Sequence, residues 1–192
     1  MVNHGETPPA VGDSDEDLMK QVSRGSRPAF DELMQRYQQP LLNFFQRMGV
    51  IHDAEDMVQD SFIKLYQSRK RYKPTASFKT FLYTIARRVS IDRHRKKARR
   101  PEVEYDDALE TPHDFSRSPA GVAADRIDVA EALLKLPETM RSVVILSVME
   151  GLTMNETGEV LGIPEGTVKS RLFHALKRLR EAIKDAPQDG LE

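Results

Sequence analysis

The chain contains neither cysteine nor tryptophan among its 192 residues. The first absence excludes disulfides, thiolate metal sites and thiol redox chemistry, and it fits a reducing compartment. No stretch approaches the roughly 18 apolar residues that a membrane span needs, and the acidic N-terminal region lacks the apolar run of a secretion signal. A cytoplasmic protein with no membrane contact of its own is expected. Strand-length alternation of apolar and polar residues is missing, as is any internal repeat. Lys and Arg are absent from residues 1–17, which carry Glu6, Asp13, Asp15, Glu16 and Asp17. Acids are nearly absent from Arg71 to Arg100, where eleven Lys/Arg accompany only Asp92. The formal net charge of −1 thus conceals a segregated chain. One concentrated basic segment in a balanced protein points to a local polyanion-binding surface.

What the chain has is helical periodicity, with 39% hydrophobic residues, enough for modest cores in one domain or two small ones. Residues 1–13, with Gly5, Pro8, Pro9 and Gly12, read as a flexible leader. A helix starts near Ser14, its acids Asp15, Glu16 and Asp17 placed where a helix N-terminus favours negative charge. After Gly25 and Pro28, Phe30 to Met48 marks a longer amphipathic helix that Pro40 is placed to interrupt, and Gly49 closes it. A third helix runs from about His52 to Arg69, and a fourth from Ser77 into the basic run before Pro101. These four helices over 14–100 make one bundle. From 101 to 121 the periodicity disappears while Glu102, Glu104, Asp106, Asp107, Glu110, Asp114, Pro112 and Pro119 accumulate, the composition of an acidic flexible linker. Helices resume over 122–185 as a second small bundle, and 186–192 is a tail. The fold class is therefore all-α: two small helical domains joined by a linker.

The end of the second domain carries a specific pattern. Thr153 and Glu156 form a capping box, Gly162 supplies a turn residue able to take positive φ, and Pro164 opens the next helix without wasting an N–H. Val168, Leu172, Ala175, Leu176, Leu179 and Ile183 then form an apolar stripe, leaving Lys169, Ser170, Arg171, His174, Lys177 and Arg178 around it. This reads as a helix-turn-helix whose second, cationic helix enters a DNA major groove, or as an ordinary helical hairpin with a solvated basic face.

Two further segments carry chemistry. In the fourth helix, Phe78, Phe81 and Tyr83 interleave with Lys79, Arg87, Arg88, Arg93, Arg95, Lys96 and Lys97. Cations neutralise phosphates and rings stack on unpaired bases, so the mixture suits single-stranded or melting DNA. Phe78 and Phe81 fit the bundle core equally well. In the third helix Asp53, Asp56 and Asp60 fall on one side. That stripe could meet a basic partner, face water or hold a divalent metal, the last being weakest because no cluster completes a ligand set.

Together these segments resemble the extracytoplasmic-function (ECF) subgroup of bacterial RNA polymerase sigma factors. Asp53-Ala54-Glu55-Asp56-Met57-Val58-Gln59-Asp60-Ser61-Phe62 is similar to the family's polymerase-clamp-binding helix, and Phe78 to Arg95 to its promoter-melting helix. Leu136-Pro137-Glu138 with Ile163 to Leu172 resembles its second DNA-binding domain. The resemblance implies a non-enzymatic initiation factor without cofactor or metal, which binds core RNA polymerase and promoter DNA and is held by an anti-sigma factor. It places polymerase binding on Asp53, Glu55, Asp56, Met57, Val58, Gln59 and Phe62. It places the promoter element centred near −10 on Lys73, Phe78, Tyr83, Arg87, Arg88 and Arg95. The element near −35 falls to Thr167, Lys169, Ser170, Arg171, Phe173, His174 and Lys177. The chain departs from the family in Phe81-Leu82-Tyr83 for Trp-Leu-Tyr, in Ala86-Arg87-Arg88 for Ala-Arg-Asn, and in Gly158 for a common Ala. Arg88 puts a donor-only cation where an amide both donates and accepts. The competing readings are a stand-alone helix-turn-helix regulator and, from another class, a metal-dependent nuclease using Asp53, Asp56 and Asp60.

Overall fold

In the computed structural model, residues 12–50, 52–73, 76–99 and 123–184 are described, and every regular element among them is helical. The linker 101–121, the tail 186–192 and all but the last two residues of the leader lie outside them. Helix α1 (Asp15–Ser23) is capped by Ser14, whose hydroxyl accepts from the Asp17 N–H. Helix α2 (Arg27–Arg47) starts at a Ser26 cap with Pro28 in its first turn. It runs unbroken through Pro40, against the interruption expected there. Proline removes one backbone hydrogen bond. Leu33 and Tyr37 before it and Leu41, Phe44 and Phe45 after it are all buried, so packing holds both halves in the helix. Helix α3 (Ala54–Ser68) ends in a 3₁₀ turn at Arg69–Arg71 and leads to α4 (Phe78–Arg99).

The second group consists of α5 (Ala123–Lys135), α6 (Glu138–Val144), α7 (Met154–Leu161) and α8 (Glu165–Lys184). A π turn, Ile145–Met149, extends α6. The Thr153–Glu156 capping box is present in both directions, and Gly162 closes α7 in the left-handed region at φ 64°. Gly158 is fixed by contact rather than by φ. A Cβ there would lie 2.7 Å from the Ile163 backbone carbonyl, so the turn approaches α7 as closely as glycine permits.

The two groups share one core. Phe44, Phe45, Leu82 and Tyr83 of the first belong to the same buried cluster as Leu146, Leu152, Val160, Leu161 and Val168 of the second. Arg141 fastens the seam. Its Nε donates to the Leu133 carbonyl at 3.0 Å, its Nη2 to those of Leu134 and Leu136 at 2.8 and 2.9 Å, and its Nη1 to Met48 at 2.9 Å. One guanidinium thereby satisfies carbonyls at the C-terminal ends of α5 and α2, where helix dipoles favour a cation.

Candidate nucleic-acid interface

Helix α8 presents the candidate −35 residues as one surface. Val168 and Ala175 are fully buried, with Leu172 and Leu179 partly so, which turns the opposite arc outward. On that arc Lys169, Ser170, Phe173, His174 and Lys177 are exposed, while Thr167 and Arg171 sit half-buried at its edge. Phe173 is 68% exposed and packs edge-on to His174 at 5.5 Å. Leu176, expected in the apolar stripe, is instead 41% exposed. Lys169 is tied by an i,i+4 pair to Glu165 at 2.6 Å. A polar, cationic helix beginning at a tight turn has the shape and charge that a major groove accepts.

The α4 candidates divide. Lys73, Arg88 and Arg95 are exposed and Arg87 is half-buried. Phe78 and Tyr83 are fully buried and offer no surface to a ligand in this arrangement. Phe78 packs on Tyr37 at 5.1 Å and on Tyr72 at 6.5 Å, and Phe81 on Tyr72 at 5.3 Å, so these rings anchor the loop before α4 to the bundle. Burial, with the acids Glu16, Asp15 and Asp17 nearby, pushes the Tyr72 hydroxyl up to about 12. Glu16 accepts the Phe78 N–H at 2.9 Å, so α1 caps the start of α4. The Tyr83 hydroxyl donates to Glu150 of the second group, and burial beside that carboxylate raises its pKa.

The acidic stripe on α3 is partly engaged. Arg93 of α4 forks onto Asp53 at 2.7 and 3.1 Å and reaches Asp56 at 3.4 Å. Asp53, foremost among its partners, raises the guanidinium above its ordinary value. Lys64 and Asp92 form a second α3–α4 pair at 2.8 Å, and that lysine holds the Asp92 carboxyl below the usual range. Glu55, Gln59 and Asp60 remain exposed. Met57, Val58 and Phe62 are all buried, and the latter two also line a groove of about 800 Å³ between α2 and α3. Phe30, Met34, Leu42, Ile63 and Tyr66 complete its apolar lining, with Glu55 and Gln59 among its polar lining residues. Ile63 and Tyr66 are apolar positions of α3, yet they are 54% and 39% exposed. The available signal was excess: apolar residues at 57, 58, 62, 63, 65 and 66 make a stripe too wide for one buried face.

This arrangement coincides with known families over both helical groups. Sigma-70 region 2 matches residues 33–100, and Sigma-70, region 4 matches residues 126–179. The ECF RNA polymerase sigma factor SigW of Bacillus subtilis is 32% identical over 181 residues, covering 87% of this chain and 95% of its own. The chain belongs to the ECF sigma factors. The RNA polymerase sigma-H factor of Pseudomonas aeruginosa is 33% identical, covering 92% of this chain and 95% of its own. In structure this sigma factor is similar to RpoE of Bartonella quintana, solved with the anti-sigma factor NepR, at TM-score 0.68 and 26% identity over 82% of this chain and 98% of that one. CnrH, solved with the cytosolic domain of CnrY, shares the fold at TM-score 0.69 and 24% identity, covering 91% of this chain and 100% of that one. As a sigma factor the protein binds core RNA polymerase and directs promoter recognition and strand opening at transcription initiation. No helix among the described residues is long and apolar enough to cross a membrane.

Proposed function

We propose that this sigma factor divides its work over three surfaces. The groove between α2 and α3 and the acidic edge of α3 next to it dock on polymerase: Glu55 and Gln59 at the groove, with Asp53 and Asp56 on the α4 side, meet a basic partner, Val58 and Phe62 form the apolar floor, and Met57 holds α3 from beneath. The loop before α4 and the exposed cations Lys73, Arg87, Arg88 and Arg95 meet the −10 element, with Phe78 positioning that loop and Tyr83 becoming available once the domains part. Capture of an unpaired base beside a cationic helix offsets an unstacking cost of a few kcal/mol. The outward arc of α8, with Thr167, Lys169, Ser170, Arg171, Phe173, His174 and Lys177, reads the −35 element. The domain division at 14–100 and 122–185, with 101–121 as connector, belongs to the same reading.

The observation that carries this assignment is the outward arc of α8, cationic and polar around the exposed Phe173 and Leu176 and opposite a core-facing stripe. The protein acts in the cytoplasm as a non-enzymatic factor without cofactor or metal. It is held by an anti-sigma partner, as RpoE of Bartonella quintana is by NepR in their solved complex. Run-off transcription from a genomic promoter library, with core polymerase plus or minus the protein, is expected to yield discrete new start sites. Asp56→Arg and, on the groove wall, Ile63→Glu are expected to weaken polymerase pull-down while leaving the helical circular-dichroism signal intact. Normal pull-down by both variants would remove the groove assignment.

A further inference from the structure

At the seam between the two domains, donors from the first converge on one residue of the second. Glu150 follows the π turn and is only 7% exposed. Its carboxylate accepts the Tyr83 hydroxyl and lies 3.7 Å from Arg47 Nη1, while its backbone carbonyl accepts Lys79 Nζ at 2.5 Å. Beside it, Ser77 donates to Glu156 at 2.5 Å. Among the described residues, Arg47 and Lys79 form no ion pair within their own domain. A carboxylate so far removed from water needs such donors. The converse also holds: when the domains separate, a tyrosine hydroxyl, a guanidinium and an ammonium on one patch lose their acceptors together.

The patch has a direction. Lys79, Tyr83 and Arg87 follow one another at four-residue spacing on α4, so they share a face and span about 12 Å along the axis. Arg87 borders the cleft between the domains, with Arg171 across from it. Arg47 adds a third cation from the last turn of α2. Donors without acceptors, aligned along a helix, suit a backbone phosphate, which like a carboxylate presents its charge on two oxygens.

We infer that Arg47, Lys79 and Tyr83 form a seat for a backbone phosphate of the promoter strand, filled by Glu150 while the domains are packed together and by DNA when they part. This rests on the reading of α4 as the −10 helix. It adds Arg47 and Lys79 to the DNA-contacting set and makes Glu150 an internal competitor. Domain closure and strand binding then exclude one another, so each is linked to the other by the free energy of occupying one seat.

The test uses the full chain and a short fluorescein-labelled thymidylate oligonucleotide, with binding followed by anisotropy across a salt series. Glu150→Gln is compared with Glu159→Gln, which makes the same charge change on an exposed part of α7. Glu150→Gln is expected to bind roughly fivefold more tightly at low salt, with a slope of log affinity against log salt steeper by about 0.7 for each additional phosphate neutralised. Adding Arg47→Ala and Lys79→Ala to Glu150→Gln is expected to return both values to those of Glu159→Gln. In the holoenzyme, Arg47→Ala with Lys79→Ala is expected to flatten the salt slope of promoter binding by about one unit. An unchanged holoenzyme slope overturns the seat whatever the free chain does. A flattened slope with Glu150→Gln indistinguishable from Glu159→Gln overturns the competitor role of Glu150. Wild-type holoenzyme that gives specific starts alongside an unchanged slope places the failure in the seat rather than in the sigma-factor assignment of α4.

Discussion

Helices α4 and α8 are both basic and of similar length, 22 and 20 residues, yet they stand in opposite relation to the core. The first half of α4 buries Phe78, Leu82, Tyr83, Ile85, Ala86 and Val89, covered by its own bundle on one side and by the second domain on the other. Helix α8 buries one narrow stripe and leaves Phe173 and Leu176 in water. On the proposed assignment, the −35 arc is exposed as folded, whereas the seam-facing residues of α4 must lose their cover before they meet DNA. The proposed seat couples affinity for promoter DNA to whatever separates the domains.

A pair of leucine truncations gives the strongest contrast. Leu82→Ala removes a fully buried side chain and is expected to cost about 2–5 kcal/mol in urea unfolding, whereas Leu176→Ala on α8 should stay within about 0.5 kcal/mol. Equal costs would mean that α8 is covered in solution. On function the order reverses: Lys169→Ala with Arg171→Ala should leave the urea midpoint nearly unchanged and lose ~1–3 kcal/mol of −35 discrimination for each good base pairing removed, read by footprinting on promoter variants. Unchanged footprints would take the −35 role away from this arc.

Smaller effects sharpen the turn and the seam. Gly158→Ala should destabilise by about 1–3 kcal/mol, since its Cβ must displace the Ile163 carbonyl and with it the start of α8. A neutral result in thermal unfolding would mean that the turn yields freely. The smallest expected effect concerns acid. Bonds from Ser77 first, and then the Thr153 backbone, hold the Glu156 carboxyl below its ordinary value of 4.5. A depressed folded pKa gives stability that is present above the unfolded value and is lost as pH falls through the folded one. Between about pH 5 and 3 the wild type should therefore lose more thermal stability than Glu156→Gln, by roughly 1 kcal/mol, the scale of a helix cap. Parallel pH profiles would mean that neither the cap nor the Ser77 bond depends on the charge.

Much of this was legible in the residues. The capping box, the Gly162 turn and the Pro164 restart are local devices within one span of chain, and each appears where its residues stand. The outward arc of α8 followed from periodicity because one stripe of that helix packs and the rest does not. Where several elements meet, the local pattern was insufficient. Pro40 reads as an interruption until its flanking residues are buried together. The apolar pattern of α3 does not tell which of its positions are covered, and α2 leaves a groove beside Ile63 and Tyr66. Asp53 and Asp56 read as a stripe awaiting a partner, yet Arg93, some 40 residues away in the chain, already bridges them.

Local pattern sets the helical class, where most helices begin and end, and which helix carries the cationic outward arc, because caps, turns and 3.6-residue periodicity act within a few residues of chain. Packing between distant segments sets the rest: that the two domains share a core, that Tyr83 and Lys79 face Glu150, and that Arg141 ties α5 to the end of α2. Those outcomes depend on which desolvated donors and acceptors arrive at the same place after the chain has turned back on itself, and a buried polar group accepts whichever partner the packing brings.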